Sequence, residues 1–243
     1  METKKPYLLF LLSFSLLFSA CAPDAAPTPT ILLPTDTPPP ATPLPTDILA
    51  TEEAPAQPLR LYENPTFGFS FAYPESWFGP DEYTVESTLR VAVGSDVVYP
   101  YGTGREEQIY QLSNSYYVVL QYTQNNQNTY WSDTYQTLAS LQDGESSSGD
   151  RGMLIRVRQL DLGPFKGFEY IATLSETAQT EPFYTREVLL VDKLTGDLLT
   201  ITGSPNNVTV GEGIDWREAY RLLDEANLSL FHQIVESIIV RSR

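Results

Sequence analysis

The sequence predicts an α+β domain built on an antiparallel β-sheet, and three patterns support this fold class. Large apolar residues alternate with small or polar ones in several segments, which is typical of strands with one buried face. Residues 192–197, DKLTGD, separate two of these segments as a short turn and therefore predict antiparallel pairing. Near the C-terminus the apolar residues recur at helical spacing, which predicts an amphipathic helix.

The predicted strands follow one another along most of the chain. The clearest is 66–73, where four aromatic residues alternate with small ones, and residues 74–77 then turn the chain. Residues 97–107 are polar and glycine-rich and predict no regular element. The remaining predicted strands are 89–93, 116–123, 153–160, 167–174, 183–191 and 198–203.

Two helices are predicted. The shorter spans 132–141, and the longer begins at Asp215, because Asp215 and Glu218 have the spacing of a capping box. Asn227 and Ser229 predict a break that divides the longer helix into two pieces. Its apolar face consists of Trp216, Tyr220, Leu223, Leu230 and Ile234.

The first 20 residues have the features of an export signal. Lys4 and Lys5 supply a short positive region, and residues 7–18 form a nearly unbroken apolar run. A run of that length is too short to cross about 30 Å of hydrocarbon as a stable helix. We therefore expect residues 1–20 to be a signal peptide that is removed on export.

Residues 17–21, LFSAC, resemble the lipobox of bacterial lipoproteins, in which small residues precede an acylated cysteine; Phe18 stands where leucine is commoner. Cys21 is the only cysteine in the chain, so it has no partner for an internal disulfide. The alternative is an ordinary secretory signal beside a chance cysteine. We predict lipidation of Cys21, which would anchor the protein on the extracytoplasmic face of the cell membrane.

Residues 21–58 are predicted to be the lipidated cysteine followed by a disordered tether. Residues 22–58 contain 11 prolines and 7 threonines but no basic residue. Proline removes a backbone donor and fixes φ, so this segment favours an extended chain over a packed core. Residues 59–243 are then predicted to form a single globular domain.

Segments of this predicted domain resemble the PsbP-like family, which is named for an extrinsic photosystem II subunit and also occurs in bacterial lipoproteins. They are Leu61-Tyr62, residues 67–77 (FGFSFAYPESW) and residues 231–238 (FHQIVESI). The resemblance implies an α/β/α sandwich, in which helices cover both faces of an antiparallel sheet. It also implies a domain that docks onto protein partners, although fold transfers between relatives more safely than function.

Composition restricts the chemistry that the domain can perform. The formal net charge of −16 makes nucleic acid a poor partner, because phosphate binding requires clustered lysine and arginine. His232 is the only histidine, which excludes a metal site with two histidines and leaves one candidate for a catalytic triad. A packed or exposed helical histidine is the simpler interpretation. Residues 102–104, GTG, lack the third glycine of a dinucleotide-binding loop, and we predict no cofactor.

Carboxylates are the plentiful reactive groups, and two loops concentrate them. The carboxylates could hold Ca²⁺ or serve in acid–base catalysis, but neither loop has the spacing of an EF-hand, and solvated turn acids are the simpler interpretation. The loop residues are Asp192, Thr195 and Asp197 in the first loop, and Asp143, Glu145 and Asp150 in the second.

The middle of the chain is rich in aromatic residues. Flat rings stack on sugars and peptides, so these residues could line a groove, or they could be half-buried strand residues. They are Tyr99, Tyr101, Tyr110, Tyr116, Tyr117, Tyr122, Tyr130, Trp131 and Tyr135.

These observations favour a membrane-anchored, non-enzymatic binding or assembly module, with a protein partner at the cell surface as one expectation. The alternative is a hydrolase that uses carboxylates, and a close pair of buried acids in a cleft would favour it. A transporter's substrate-binding lipoprotein is the third interpretation, but such proteins have two lobes and a longer chain.

Overall fold

The computed structural model describes residues 57–101, 111–149, 152–173 and 183–241, which form eleven strands and two helices. The helices are α1 (Ser132–Ser140) and α2 (Trp216–Glu236). The described residues belong to one compact unit of the chain, Glu53–Arg243. The strands are β1 (Leu59–Asn64), β2 (Phe69–Pro74), β3 (Phe78–Val85), β4 (Thr88–Gly94), β5 (Ser115–Thr123), β6 (Ser146–Gly149), β7 (Gly152–Leu162), β8 (Phe165–Thr173), β9 (Tyr184–Val191), β10 (Leu198–Asn206) and β11 (Ile239–Val240).

The strands form two antiparallel sheets. Eight strands make the large sheet in the order β3-β4-β5-β10-β9-β8-β7-β6, and the small sheet has the order β1-β2-β11. Strands β9 and β10 pair as a hairpin across residues 192–197, which confirms the turn predicted there. The small sheet unites the two ends of the described chain, because Ile239 of β11 pairs with Ser70 of β2.

Alternation along each strand decides which face of the large sheet a side chain occupies. In β5, Tyr116, Val118, Leu120 and Tyr122 are buried on one face, and the residues between them are only half-buried. The small sheet and α2 cover this face and form the main core. The aromatic residues of the predicted strand 66–73 enter that core with Trp77, as Phe67, Phe69, Phe71 and Tyr73.

The opposite face of the large sheet carries a smaller apolar cluster under α1. Leu138 of α1 is fully buried and packs with Phe168 of β8 and Leu189 of β9. The ring of Tyr135 lies 5.2 Å from that of Phe168, in an edge-on arrangement. The predicted helix 132–141 is thus confirmed as α1, Ser132–Ser140.

The predicted α/β/α sandwich is wrong. Within the described residues helix is limited to α1 and α2, whereas eleven strands fill the two sheets. A second β-sheet, supported by α2, covers the main core where a layer of helices was expected. On the other face α1 has only nine residues and lies against part of the sheet. The fold is therefore β-rich, with two packed antiparallel sheets.

Helix α2 begins as predicted but does not break. The Asp215 side chain accepts a hydrogen bond from the Arg217 backbone N at 2.7 Å and caps the helix. The predicted break at Asn227 and Ser229 is wrong, because α2 continues through both residues. Asn227 Nδ2 donates to the Leu223 carbonyl at 2.8 Å, so this polar side chain is satisfied within the helix.

The predicted signal peptide, Cys21 and most of the predicted tether lie outside the described residues. The predicted domain, 59–243, starts at the first residue of β1. Neither α1 nor α2, the helices of the described part of the chain, is long and apolar enough to cross a membrane.

Candidate functional site

Residues of the small and large sheets line a common pocket, and we call it the sheet-end pocket. Its volume is about 450 Å³, within the range of about 300–1,000 Å³ that is common for small-molecule sites. Tyr122 of β5 and Phe165 of β8 line its apolar part, and their ring centroids are 6.2 Å apart. Val240 of β11 contributes from the small sheet. Both sheets therefore build the pocket.

The β9–β10 turn supplies two carboxylates to this pocket. Asp192 is only 6% exposed, and its Oδ1 accepts a hydrogen bond from the Leu194 backbone N at 2.8 Å. Asp197 accepts from the Tyr122 hydroxyl through Oδ2 and from the Asn125 backbone N at 2.8 Å through Oδ1. Asp197 is thus a structural acceptor that ties the turn to β5.

Donors and acceptors are mixed along the rest of the pocket. Gln124 and Asn125 bring side-chain amides, Thr195 brings a hydroxyl, and Arg241 brings a guanidinium at the exposed rim. The Thr195 hydroxyl accepts from the Asp197 backbone N at 3.2 Å. An amide or hydroxyl both donates and accepts, so this lining suits a ligand that carries several hydroxyl groups.

The second acidic loop serves the fold. Asp143 pairs with Arg156 at 2.8 Å, and Glu145 accepts from the Gln142 backbone N at 2.7 Å. Asp150 lies outside the described residues. The described residues contain no cluster of three or more histidine, cysteine, aspartate or glutamate side chains that could hold a metal ion.

A network of buried charges joins the large sheet to α2. Arg186 of β9 pairs with Asp224 of α2 at 2.6 Å and with Glu169 of β8 at 2.6 Å, and both carboxylates are fully buried. The Tyr116 hydroxyl donates to Asp224 at 2.9 Å. One guanidinium therefore neutralises two buried acids, because its fork-shaped donors reach both.

His232 belongs to this network. Its Nε2 lies 3.0 Å and 3.1 Å from the two carboxylate oxygens of Glu169, and Arg158 bonds the same carboxylate at 2.7 Å. Burial raises the pKa of Glu169, but the bonds from His232, Arg158 and Arg186 outweigh it and lower that pKa to about 2. The histidine is thus a residue of α2 that contacts a buried acid.

The aromatic residues do not form one groove. Tyr116 and Tyr122 enter the main core. Trp131, which precedes α1, and Tyr135 of α1 pack against the smaller apolar cluster on the other face of the large sheet. Tyr99 and Tyr117 line a second pocket on that other face, and Tyr101 and Tyr130 are exposed. Tyr110 lies outside the described residues.

Comparison with known proteins gives no family for this chain. No protein-family model matches it, and no curated protein matches it. A crystal structure from Bacteroides thetaiotaomicron VPI-5482, at 1.50 Å resolution, is similar with 12% identity and a TM-score of 0.30, over 75% of this chain and 48% of that one. The chain thus spans about half the length of that protein. The resemblance to the PsbP-like family stays a prediction.

Proposed function

We propose that this protein is a lipid-anchored, extracytoplasmic binding module that holds a small, hydroxyl-rich ligand in the sheet-end pocket and has no catalytic step. The observation that carries the proposal is the make-up of that pocket. Carboxylate, amide and hydroxyl groups surround an apolar floor in a volume of about 450 Å³. The anchor is the lipid predicted on Cys21, and a protein partner at the cell surface is compatible with such a module.

The states of the buried acids argue against a carboxylate hydrolase. Glu169 and Asp224 are both buried, but Arg186 bridges them. Glycoside hydrolysis requires an acid whose pKa is raised, so that it carries a proton at neutral pH. The pKa of Glu169 is lowered to about 2 instead, and this carboxyl is ionised. Asp192 and Asp197 both line the sheet-end pocket; Asp192 accepts a hydrogen bond from the Leu194 backbone N, and Asp197 accepts from the Tyr122 hydroxyl and the Asn125 backbone N.

Ligand binding tests the proposal directly. The mature protein is titrated with a panel of mono- and disaccharides, and binding is followed by calorimetry or by ligand-observed NMR. We expect at least one saccharide to bind, and Asp192→Asn to weaken its binding about tenfold or more, because a hydrogen bond to a charged group contributes about 1.5–3 kcal/mol. Asparagine can still accept the bond from the Leu194 backbone N, so the turn is retained.

Asp143→Asn is the matched control, since Asp143 is also a turn carboxylate but does not line the pocket. Its saccharide affinity should equal that of the natural protein. Failure of the whole panel to bind, or equal losses in both variants, would rule out the sheet-end pocket as the site. A hydrolytic turnover that Glu169→Gln or Asp192→Asn abolishes in a folded protein would replace the binding module with an enzyme.

A further inference from the structure

A second pocket lies on the face of the large sheet that the small sheet leaves uncovered, and we call it the Arg90 pocket. Its volume is about 250 Å³, so it can take only a small molecule. Ala92 and Val119 form part of its floor, Val98 is on its wall, and Ser204 and Asn206 bring a hydroxyl and an amide. Arg90 of β4 is the one charged side chain among the described residues that line it.

Arg90 is a cation whose hydrogen bonding is incomplete within the described part of the chain. Its side chain is 21% exposed, and its Nη1 is buried without a hydrogen-bond partner among the described residues. Among the described residues, the carboxylate that pairs with Arg90 is Asp81, whose Oδ2 lies 3.6 Å from Nη1 and accepts a hydrogen bond from the Tyr101 backbone N at 3.0 Å. A buried charged donor without a full partner is unfavourable, and an added acceptor relieves it.

The Arg90 guanidinium is flanked by an aromatic ring and a carboxylate. The Tyr101 ring covers one side of the guanidinium, with Cζ 4.4 Å from the ring centroid. Burial lowers the pKa of Arg90, and Asp81 and then Tyr101 oppose that shift. The whole chain carries a net charge of −16, which repels anions at long range, so any attraction of an anion to this pocket must come from Arg90 itself.

The wall of the pocket is held in place before any ligand arrives. Asp96 is fully buried, and its carboxylate accepts from the backbone N of Val97 at 2.7 Å, Gln111 at 2.8 Å and Leu112 at 3.0 Å. The Tyr117 hydroxyl donates to the Val97 carbonyl at 2.9 Å. These bonds hold Val97, Gln111 and Leu112 beside Asp96 and Tyr117, and a preformed wall reduces the entropy lost on binding.

We propose that the Arg90 pocket binds a small oxyanion, a carboxylate or phosphate group on a molecule of few atoms, through the Arg90 guanidinium with support from Ser204 and Asn206. The planar fork of donors in arginine matches the paired oxygens of such groups. Apolar contact with Val98 and Val119 favours an organic acid over a bare ion. This site is separate from the sheet-end pocket, and it does not depend on the proposed function.

The test measures binding of defined anions to the mature protein. Acetate, succinate and inorganic phosphate are titrated at constant ionic strength against chloride, with chemical-shift perturbation and the thermal midpoint as readouts. We expect saturable shifts at Arg90 and Val119, a rise in the midpoint, and a loss of affinity of about tenfold or more in Arg90→Gln. The ranking of the three probes identifies the organic acid or the phosphate as the better ligand.

Arg217→Gln is a closely matched control. Arg217 also lies over an aromatic ring, with Cζ 4.6 Å from the Trp216 centroid, and its carboxylate partner Asp215 is 3.8 Å away, but it lines neither pocket. Its affinity for the anions should equal that of the natural protein. A loss of affinity equal to that of Arg90→Gln would show that the anions respond to the overall charge of the protein, and it would overturn the proposal.

Ser204→Asp is a second variant, which tests the pocket even if Arg90→Gln disturbs the fold. It leaves Arg90 in place and adds a carboxylate to the pocket, so it should abolish anion binding while the protein stays folded. Undiminished binding in Ser204→Asp would overturn the proposal, as would the absence of saturable binding by the natural protein. Asp192→Asn should leave anion binding unchanged, which separates this result from any failure of the sheet-end pocket.

Discussion

Arg186 shows how one residue can determine the arrangement of two elements. It occupies the same face of β9 as Val188 and Leu190, and it meets Asp224 from α2 and Glu169 from β8 inside the protein. Buried ion pairs often contribute little net stability compared with apolar residues, but removing one partner leaves an isolated charge. The network therefore fixes the position of α2 on the large sheet.

Arg186→Met should lower the free energy of unfolding by about 3–5 kcal/mol, because two buried carboxylates lose the cation they share. Chemical denaturation monitored by circular dichroism measures this loss. Arg221→Met is the control: Arg221 pairs with Glu218 and Glu225 on the exposed face of α2, and its removal should change stability little. Similar losses in the two variants would contradict a structural role for the buried network.

Glu169 predicts how stability depends on pH. Its pKa is lowered from 4.5 to about 2 in the folded protein, so its contribution is complete above about pH 4.5 and is lost as the pH falls towards 2. That contribution is on the order of 3 kcal/mol. Glu169→Gln should therefore be less stable at neutral pH, and its deficit relative to the natural protein should shrink between pH 4.5 and 2.

Denaturant titrations at several pH values measure that deficit. Glu75→Gln, at an exposed turn position, should follow the natural protein at every pH. A deficit of Glu169→Gln that stays constant down to pH 2 would show that the carboxyl of Glu169 does not titrate in this window.

Some of this chemistry was predictable from single residues, and some was not. The alternation of Phe69, Phe71 and Tyr73 predicts their burial because sequence spacing alone sets the face of a strand. Arg186 and Asp224 also lie at inward-facing positions of β9 and α2. Their place in the apolar periodicity is therefore the sequence feature that indicates buried charges. Their pairing could not be predicted, because it depends on how α2 crosses the sheet.

At the scale of elements, the strands that sequence patterns identify carry an apolar pattern, which alternates in β5 and is nearly continuous in β9. β5 and β10 alternate regularly, and both were predictable. β3 is exposed along nearly its whole length, and β6 is an edge strand of serine and glycine, so neither carries a periodic apolar signal. β11 has only two residues, and its pairing with β2 comes from the far end of the chain.

The cap of α2 is an element whose energy can be measured by itself. Asp215 has extended backbone angles and accepts from the Arg217 N, so Asp215→Ala should destabilise the domain by about 1 kcal/mol. Asp133→Ala is the matched control, because Asp133 lies in the first turn of α1, where no side chain caps the helix. We expect a smaller loss of stability in Asp133→Ala. Equal losses in the two variants would show that the loss comes from the interaction of the carboxylate with the helix dipole and not from capping.

The whole molecule shows why the fold class predicted from sequence was wrong. The periodicity of apolar residues and the residue types favoured in turns identify helices and strands, but they do not say which element covers which face of a sheet. The main core is closed by β1 and β2 from the start of the domain, with α2 and β11 from its end. That closure is long-range, so local sequence patterns cannot distinguish a layer of helices from a second sheet.

The predicted attachment to the membrane depends on one residue. Cys21 is the only cysteine of the protein. We expect the mature protein to begin at an acylated Cys21, because two or more acyl chains anchor a protein stably whereas one chain binds marginally. Mass spectrometry of the membrane-bound protein should find that acylated N-terminus.

Cys21→Ser should move the protein from the membrane fraction to the soluble fraction, because serine cannot form the thioether through which the lipid is attached. Cell fractionation and immunoblotting measure the distribution, and Ser19→Ala serves as the control, since a small residue is kept before the cysteine. The domain itself should be unchanged, so the purified soluble variant should keep its saccharide and anion affinities. Membrane attachment that persists in Cys21→Ser would require an anchor other than a lipid on this cysteine.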